Sequence, residues 1–145
     1  QDCLYADLGV DPGRGGCQSY EATDFLIHHR RYDPSCHLIL WQVGSIGAQA
    51  PQPPETAQGL RVLREALLPA YGPAHPVTIY DPRSESGPTF RIQNLSLERL
   101  PEGAVTVFSG LYIPPLPARP PDPATLARLG SPLDRIGATP DVEKR

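Results

Sequence analysis

The stretch CHLILWQV, residues 36–43, is a continuous apolar run bounded by Asp33-Pro34 on one side and Gly44 on the other. A run this short, without polar alternation, reads as a strand buried on both faces, so structure must cover the sheet on each side. Downstream, residues 55–68 place Leu60, Val62, Leu63, Leu67 and Leu68 on one face and Arg61, Arg64 and Glu65 on the other, an amphipathic helix that Tyr71-Gly72-Pro73 ends. Residues 76–80 (PVTIY) are a β-branched strand, and residues 89–94 (TFRIQN) alternate as a half-buried strand does. A turn-rich loop over 82–88 would let these two lie side by side. Residues 104–113 (AVTVFSGLYI) read as the last strand, broken or bulged near Ser109-Gly110.

Upstream, residues 2–8 carry Leu4, Tyr5 and Leu8 at helical spacing with Gly9 at the stop position, the end of a helix. Residues 11–16 (DPGRGG) are a turn, and residues 18–27 fit a strand or the start of a helix equally well. Residues 44–54 are a loop. From Pro114 onward prolines prevent a sheet interior, and only residues 123–129 look helical, with Pro123 in the first turn and Gly130 as the stop. The order of elements predicts an α/β fold, a mixed sheet with flanking helices and a Pro-rich C-terminal tail.

The 145 residues suffice for one domain that buries about two thirds of its unfolded surface. A net charge of −3, from 13 Lys+Arg against 16 Asp+Glu, offers no field for holding a nucleic-acid backbone. No apolar run reaches the roughly 18 residues of a membrane-spanning helix, and no signal peptide is visible, so neither nucleic acid nor membrane is an expected partner. Three cysteines, Cys3, Cys17 and Cys36, are an odd number, which favours reduced thiols and a cytoplasmic location. The start at Gln1 and the lack of any Met lead to the expectation of a processed chain or a fragment.

Candidate chemistry is sparse. Cys3, Cys17, Cys36, His28, His29 and His37 include no Cys-x-x-Cys pair and no His pair at i, i+4, so no metal site is predicted. DPGRGG lacks the Gly-x-x-x-x-Gly-Lys pattern of a phosphate loop. No Ser/His/Asp or Cys/His set is recognisable, and no catalytic residue is assigned. Tyr20, Glu21 and Asp24 bring a phenol and two carboxylates to one turn, either to orient an amide or act as a base, or as solvated polar residues. Gln42-Val43-Gly44 ends the buried strand where α/β sheets face their ligand crevice, although a strand ending in a turn explains it as well. The segment PPLPARPP, residues 114–121, has PxxP spacing, suited to a polyproline-reading partner, or is a stiff linker or an edge wrapping the domain.

Four blocks now carry a resemblance: DCLYADLGVDPG (residues 2–13), CQSYEATDFLI (17–27), DPSCHLILWQVG (33–44) and SGLYIPP (109–115). Their order and spacing over residues 2 to 115 resemble S-adenosylmethionine-dependent methyltransferases of the tetrapyrrole methylase fold. The nearest likeness is to the branch holding the borosin-type peptide backbone N-methyltransferases and their bacterial relatives. The resemblance implies a two-domain enzyme, a homodimer when complete, with S-adenosylmethionine in the cleft between domains. This chain matches the C-terminal part. Residues 1–16 would be the end of the N-terminal domain or an interdomain helix, 17–115 the C-terminal α/β methyltransferase domain, and 116–145 the Pro-rich tail.

By likeness, Cys3 and Leu4 begin the helix after a cofactor-touching turn that precedes this sequence. Trp41, Gln42, Val43 and Gly44 match the strand end lining the adenosine pocket, and Ser109, Gly110 and Leu111 match the strand that closes it. The first glycine-rich loop and the Arg and Tyr residues of substrate chemistry would lie in the missing N-terminal half. The implied reaction moves a methyl group to a nitrogen or carbon of a small molecule or peptide, including a backbone amide. Partners would be the N-terminal domain or a second copy of the enzyme. The alternative is a non-catalytic interaction domain that keeps the fold and binds a protein.

Overall fold

The computed structural model describes residues 2–48, 55–82 and 89–130. It contains helices α1 (Asp2–Leu8), α2 (Ala22–Ile27), α3 (Thr56–Tyr71) and α4 (Pro123–Leu129) and strands β1 (Cys17–Glu21), β2 (His37–Trp41), β3 (Pro76–Asp81), β4 (Arg91–Ser96) and β5 (Gly110–Ile113). The strands form one mixed sheet in the order β1-β2-β5-β3-β4. β1 is parallel to β2, while β5 runs antiparallel to both β2 and β3, and β4 antiparallel to β3. It follows that β1, β2 and β3 all point the same way and end on one rim, at Glu21, Trp41 and Asp81.

Both faces of the sheet are covered, as the apolar run on β2 requires. Leu38 and Leu40 face α2, α3 and the 3₁₀ turn Leu97–Glu102, in a core that includes Leu60, Leu63 and Leu111. Ile39 faces the opposite way, into a smaller cluster with Leu4 of α1, Tyr80 and Tyr112. The Tyr80 hydroxyl donates to Asp7 at 2.6 Å and ties α1 to the sheet.

Several elements depart from the sequence reading. The ambiguous residues 18–27 split at Glu21: the strand ends there, and the Glu21 carboxylate accepts the Asp24 N–H at 2.8 Å, capping α2. α3 runs on to Tyr71 and buries Gly59, Leu60, Leu63, Leu67 and Tyr71. Val62, expected on the apolar face, is 44% exposed. Two residues along a helix are roughly 200° of rotation, so Val62 points away from the side that Leu60 buries. β4 lies two residues later than expected, because its register sets Arg91 opposite Asp81 and Ser96 opposite Pro76.

The last strand is reduced to four residues. Residues 104–109 form an irregular turn, with Val107 and Phe108 exposed. Their β-branched composition imitates a strand, but three of their amides are taken by side chains. The Ala104 N–H donates to Gln93 Oε1 at 2.9 Å, the Thr106 N–H to Ser109 Oγ at 2.8 Å and the Phe108 N–H to Thr106 Oγ1 at 3.1 Å.

The Pro-rich segment begins as a strap on the domain. The Leu116 N–H donates to the Pro34 carbonyl at 2.9 Å, His75 Nε2 donates to the Pro114 carbonyl at 2.7 Å, and Leu116 packs against the main core. α4 then runs between the Asp122 cap and Gly130, as its proline and glycine predict. No described helix is long and apolar enough to cross a membrane. The expected loops over 44–54 and 82–88 and the tail beyond Gly130 lie partly or wholly outside the described residues.

Candidate functional site

The rim where β1, β2 and β3 end is built by the way β2 leaves the sheet. Trp41 is its last residue, and Gln42 then adopts a left-handed backbone with φ 59° before the 3₁₀ turn Val43–Ser45. A non-glycine residue there is strained, and such outliers concentrate at functional sites. The turn is fixed to the residue just before β5 by the Val43 N–H, which donates to the Ser109 carbonyl at 3.0 Å. Gly44 is buried, and a Cβ on it would lie 2.1 Å from the Thr106 carbonyl oxygen. The missing side chain thus makes room for the 104–109 turn, a close approach of protein to protein.

Gly110 serves the same end on the next strand. A Cβ there would meet the Trp41 ring at 3.1 Å, so the indole lies across this glycine. Trp41 Nε1 donates to Ser19 Oγ on β1 at 2.7 Å, which fixes the ring plane. Strands β1, β2 and β5 therefore meet around one half-buried tryptophan. Where β3 ends and β4 begins, a hollow of about 450 Å³ is lined by Asp81, Arg91, Ile92, Gln93 and Thr106.

Seven of the nine candidate residues, Trp41 to Gly44 and Ser109 to Leu111, are brought into one patch by the pairing of Leu40 with Leu111. Leu4 lies beneath, in the cluster against which Trp41 packs, whereas Cys3 is exposed on α1. Val43, Gly44, Ser109, Gly110 and Leu111 are buried, so they shape the wall from behind. Gln42 and the outer part of Trp41 are what the patch presents to solvent. The patch thus offers an exposed amide that can donate and accept hydrogen bonds and the outer part of an indole ring to pack against.

Two residues that matter here, Asp81 and Thr106, escaped the sequence reading. Asp81, the polar end of the PVTIY strand, accepts from the Ser109 hydroxyl and from Thr106 Oγ1. Asp81 and Ser109 are 28 residues apart, and no local spacing links them. The candidate base cluster resolves differently: Glu21 caps α2, Asp24 holds Arg30 through two hydrogen bonds, and the Tyr20 hydroxyl donates to the Arg31 carbonyl at 2.8 Å. The Arg30 hydrogen bonds draw the Asp24 carboxyl below the usual range. All three side chains are engaged in holding the α2 turn. The DPGRGG turn leads into β1 and lies at the opposite end of the sheet, where Arg14, His37 and Tyr112 line a separate hollow. Among the described residues no group of three His, Cys, Asp or Glu side chains forms a metal-binding cluster.

No protein-family model matches the chain. Its sequence is 36% identical over 143 residues to a methyltransferase/ribosomally synthesized type I borosin cyclic peptide precursor of Serendipita vermifera subsp. bescii, covering 97% of this chain and 35% of that protein. It is 38% identical over 134 residues to the methyltransferase/gymnopeptides precursor of Gymnopus fusipes, covering 89% and 32%. With the methyltransferase/omphalotin A precursor of Omphalotus olearius it shares 33% identity over 154 residues, covering 100% and 36%. The chain thus spans about a third of the length of these relatives. All three are named as borosin-type or cyclic-peptide methyltransferase/precursor proteins, and the similarity extends across the whole sheet.

Proposed function

We propose that this chain is the C-terminal α/β domain of an S-adenosylmethionine-dependent peptide methyltransferase of the tetrapyrrole methylase fold, whose acceptor is a backbone amide nitrogen. The observation that carries the reading is the similarity to methyltransferase/peptide precursors along nearly the whole chain. The rim supports it, because the three co-directed strands end there and ligands of open α/β sheets sit at such ends. Trp41 and Gln42 would hold the adenosine side of the cofactor, with Val43, Gly44, Ser109, Gly110 and Leu111 supporting them from behind. When bound, the cofactor supplies a methyl group on a positively charged sulfur, already electrophilic, so the protein's contribution is mainly placement.

An amide nitrogen must also lose its proton as the new N–C bond forms, which calls for a base or a group that stabilises the amide oxygen. We assign that role to the remaining two thirds of a complete enzyme, together with the second wall of the cleft. The complete enzyme is proposed to be a homodimer.

The test is calorimetric titration of S-adenosylhomocysteine into this chain alone and into this chain mixed with the N-terminal part of the omphalotin A precursor protein. Binding by the pair and not by the chain alone is expected. Absence of binding by a well-folded pair overturns the reading. The second reading, a non-catalytic interaction domain, draws on the groove of about 530 Å³ between α2 and α3, lined by Phe25, Ile27, Tyr32 and Val62, with Ile27 and Val62 exposed. Capture of a protein partner by a chain that does not bind S-adenosylhomocysteine in either form would favour it.

A further inference from the structure

The 104–109 turn closes over Gly44 without belonging to the sheet, so something other than a strand ladder must hold it. Its main-chain ties are few: the Ser109 N–H donates to the Thr106 carbonyl at 3.2 Å, and the Ser109 carbonyl accepts from Val43. The remaining ties pass through side chains. Ser109, the one buried polar residue besides tyrosines among the described residues, is 0% exposed. Its oxygen accepts the Thr106 N–H, and its proton goes to Asp81 Oδ1. Thr106 Oγ1 accepts the Phe108 N–H at 3.1 Å and donates to the same Asp81 oxygen at 3.3 Å.

We propose that Asp81 is a positioning residue, whose carboxylate latches the 104–109 turn against the end of β2 and so sets the shape of the Trp41–Gly44 wall. One carboxylate oxygen, at the end of β3, receives both hydroxyls of the turn. The turn in turn occupies the space above Gly44 and accepts the amide that follows the strained Gln42. Removing the carboxylate leaves a buried hydroxyl without its acceptor, a loss that falls on the turn rather than on the sheet. Val43 and Gln42 are then freed to relax, and the wall loses its fixed form. The latch stands on this chain alone; its consequence for the cofactor rests on the methyltransferase reading.

Two arms separate the claims. In the first, amide hydrogen exchange of this chain compares wild type, Asp81→Ala, Asp81→Asn, Ser109→Ala and the Asp81→Ala/Ser109→Ala pair. Asp81→Ala should speed exchange of the Val43, Thr106 and Ser109 amides by about tenfold or more, with Leu38, Ile39 and Leu40 unchanged as reporters of global opening. Asp81→Asn keeps an oxygen that can accept the same bonds and should stay within about threefold of wild type. At the Val43 amide the double variant should exchange no faster than Asp81→Ala alone, because the Asp81–Ser109 bond is lost in both; the Thr106 amide also loses its Ser109 Oγ acceptor and does not enter this comparison. Unchanged local exchange in Asp81→Ala, a general rise that includes Leu38 to Leu40, or no rescue by Asn overturns the latch.

In the second arm, S-adenosylhomocysteine is titrated into the reconstituted pair. About tenfold weaker binding by Asp81→Ala, restored by Asp81→Asn, is expected. Equal affinity of wild type and Asp81→Ala overturns the link from latch to wall. A wild-type pair that does not bind overturns the methyltransferase reading, and the exchange arm still decides the latch.

Discussion

Gln42 holds a backbone conformation that favours glycine, while its exposed side chain stands at the rim. Structure and proposed binding therefore ask for different residues at this position. Gln42→Gly relieves the left-handed strain of a side chain, about 1–2 kcal/mol, against a backbone-entropy cost of about 0.4–1 kcal/mol. The substitution should raise the urea midpoint slightly, and in the reconstituted enzyme it should weaken S-adenosylhomocysteine binding through loss of the amide. Tyr71 carries a different misfit. Its hydroxyl is buried and finds no hydrogen-bond partner among the described residues, while its ring stacks on Tyr32 and lies 4.7 Å from that of His75. Burial, above all, pushes its phenol upward, since a phenolate there would be unsolvated. Tyr71→Phe keeps the packing and removes the stranded hydroxyl, so stability should hold or rise by about 1 kcal/mol in urea denaturation. A loss beyond 1 kcal/mol, an order-of-magnitude threshold, would show that the hydroxyl is satisfied in solution.

Among the elements, those written in local punctuation were legible in the sequence. α1 stops at Gly9, which has φ 68°; α4 starts at Pro123 and stops at Gly130; β2 is an apolar run between turn signals. Elements decided by distant groups were not. Thr106 carries a β-branched side chain yet sits in a turn, because its amide is taken by the Ser109 hydroxyl and its own hydroxyl by Asp81. The candidate rim was legible at Gln42 to Gly44, where an apolar run meets a glycine. Asp81 was not, since its role depends on β3 and β5 lying side by side. α4 provides a test of the local rules. The Asp122 side chain accepts the Thr125 N–H at 3.1 Å and the Thr125 hydroxyl at 2.6 Å, and these bonds lower its carboxyl below the usual range. A depressed carboxyl contributes stability that is present above the unfolded value, about 4, and lost as pH falls through the folded one. α4 should therefore fray below about pH 4, and Asp122→Ala should fray it already at pH 7, read from backbone chemical shifts of residues 123–129. Unchanged shifts in the variant would mean that Pro123 and Gly130 suffice.

At the scale of the whole molecule, the strap joins parts that the sheet does not. Leu116 reaches the Pro34 carbonyl ahead of β2, and His75 ahead of β3 holds the Pro114 carbonyl. A chain ending at Ile113 should lose about 2 kcal/mol in urea denaturation relative to one ending at Pro121, which keeps the strap and omits α4. Equal midpoints would show that the strap rests on the domain without supporting it. The strand order has a temporal consequence. β5 is the last of the described strands to be synthesised, yet it occupies the middle of the sheet, between β2 and β3. Until the ribosome has released Ile113, the nascent chain holds two separate strand pairs, β1 with β2 and β3 with β4, each with an inner edge open to pairing. Leu38, Leu40 and Ile79 stand beside those edges, and all three are fully buried once the sheet is complete. A pause in translation just before Gly110 would prolong this half-built state and invite chain-to-chain association, whereas rapid release of the final strand closes both edges in one step.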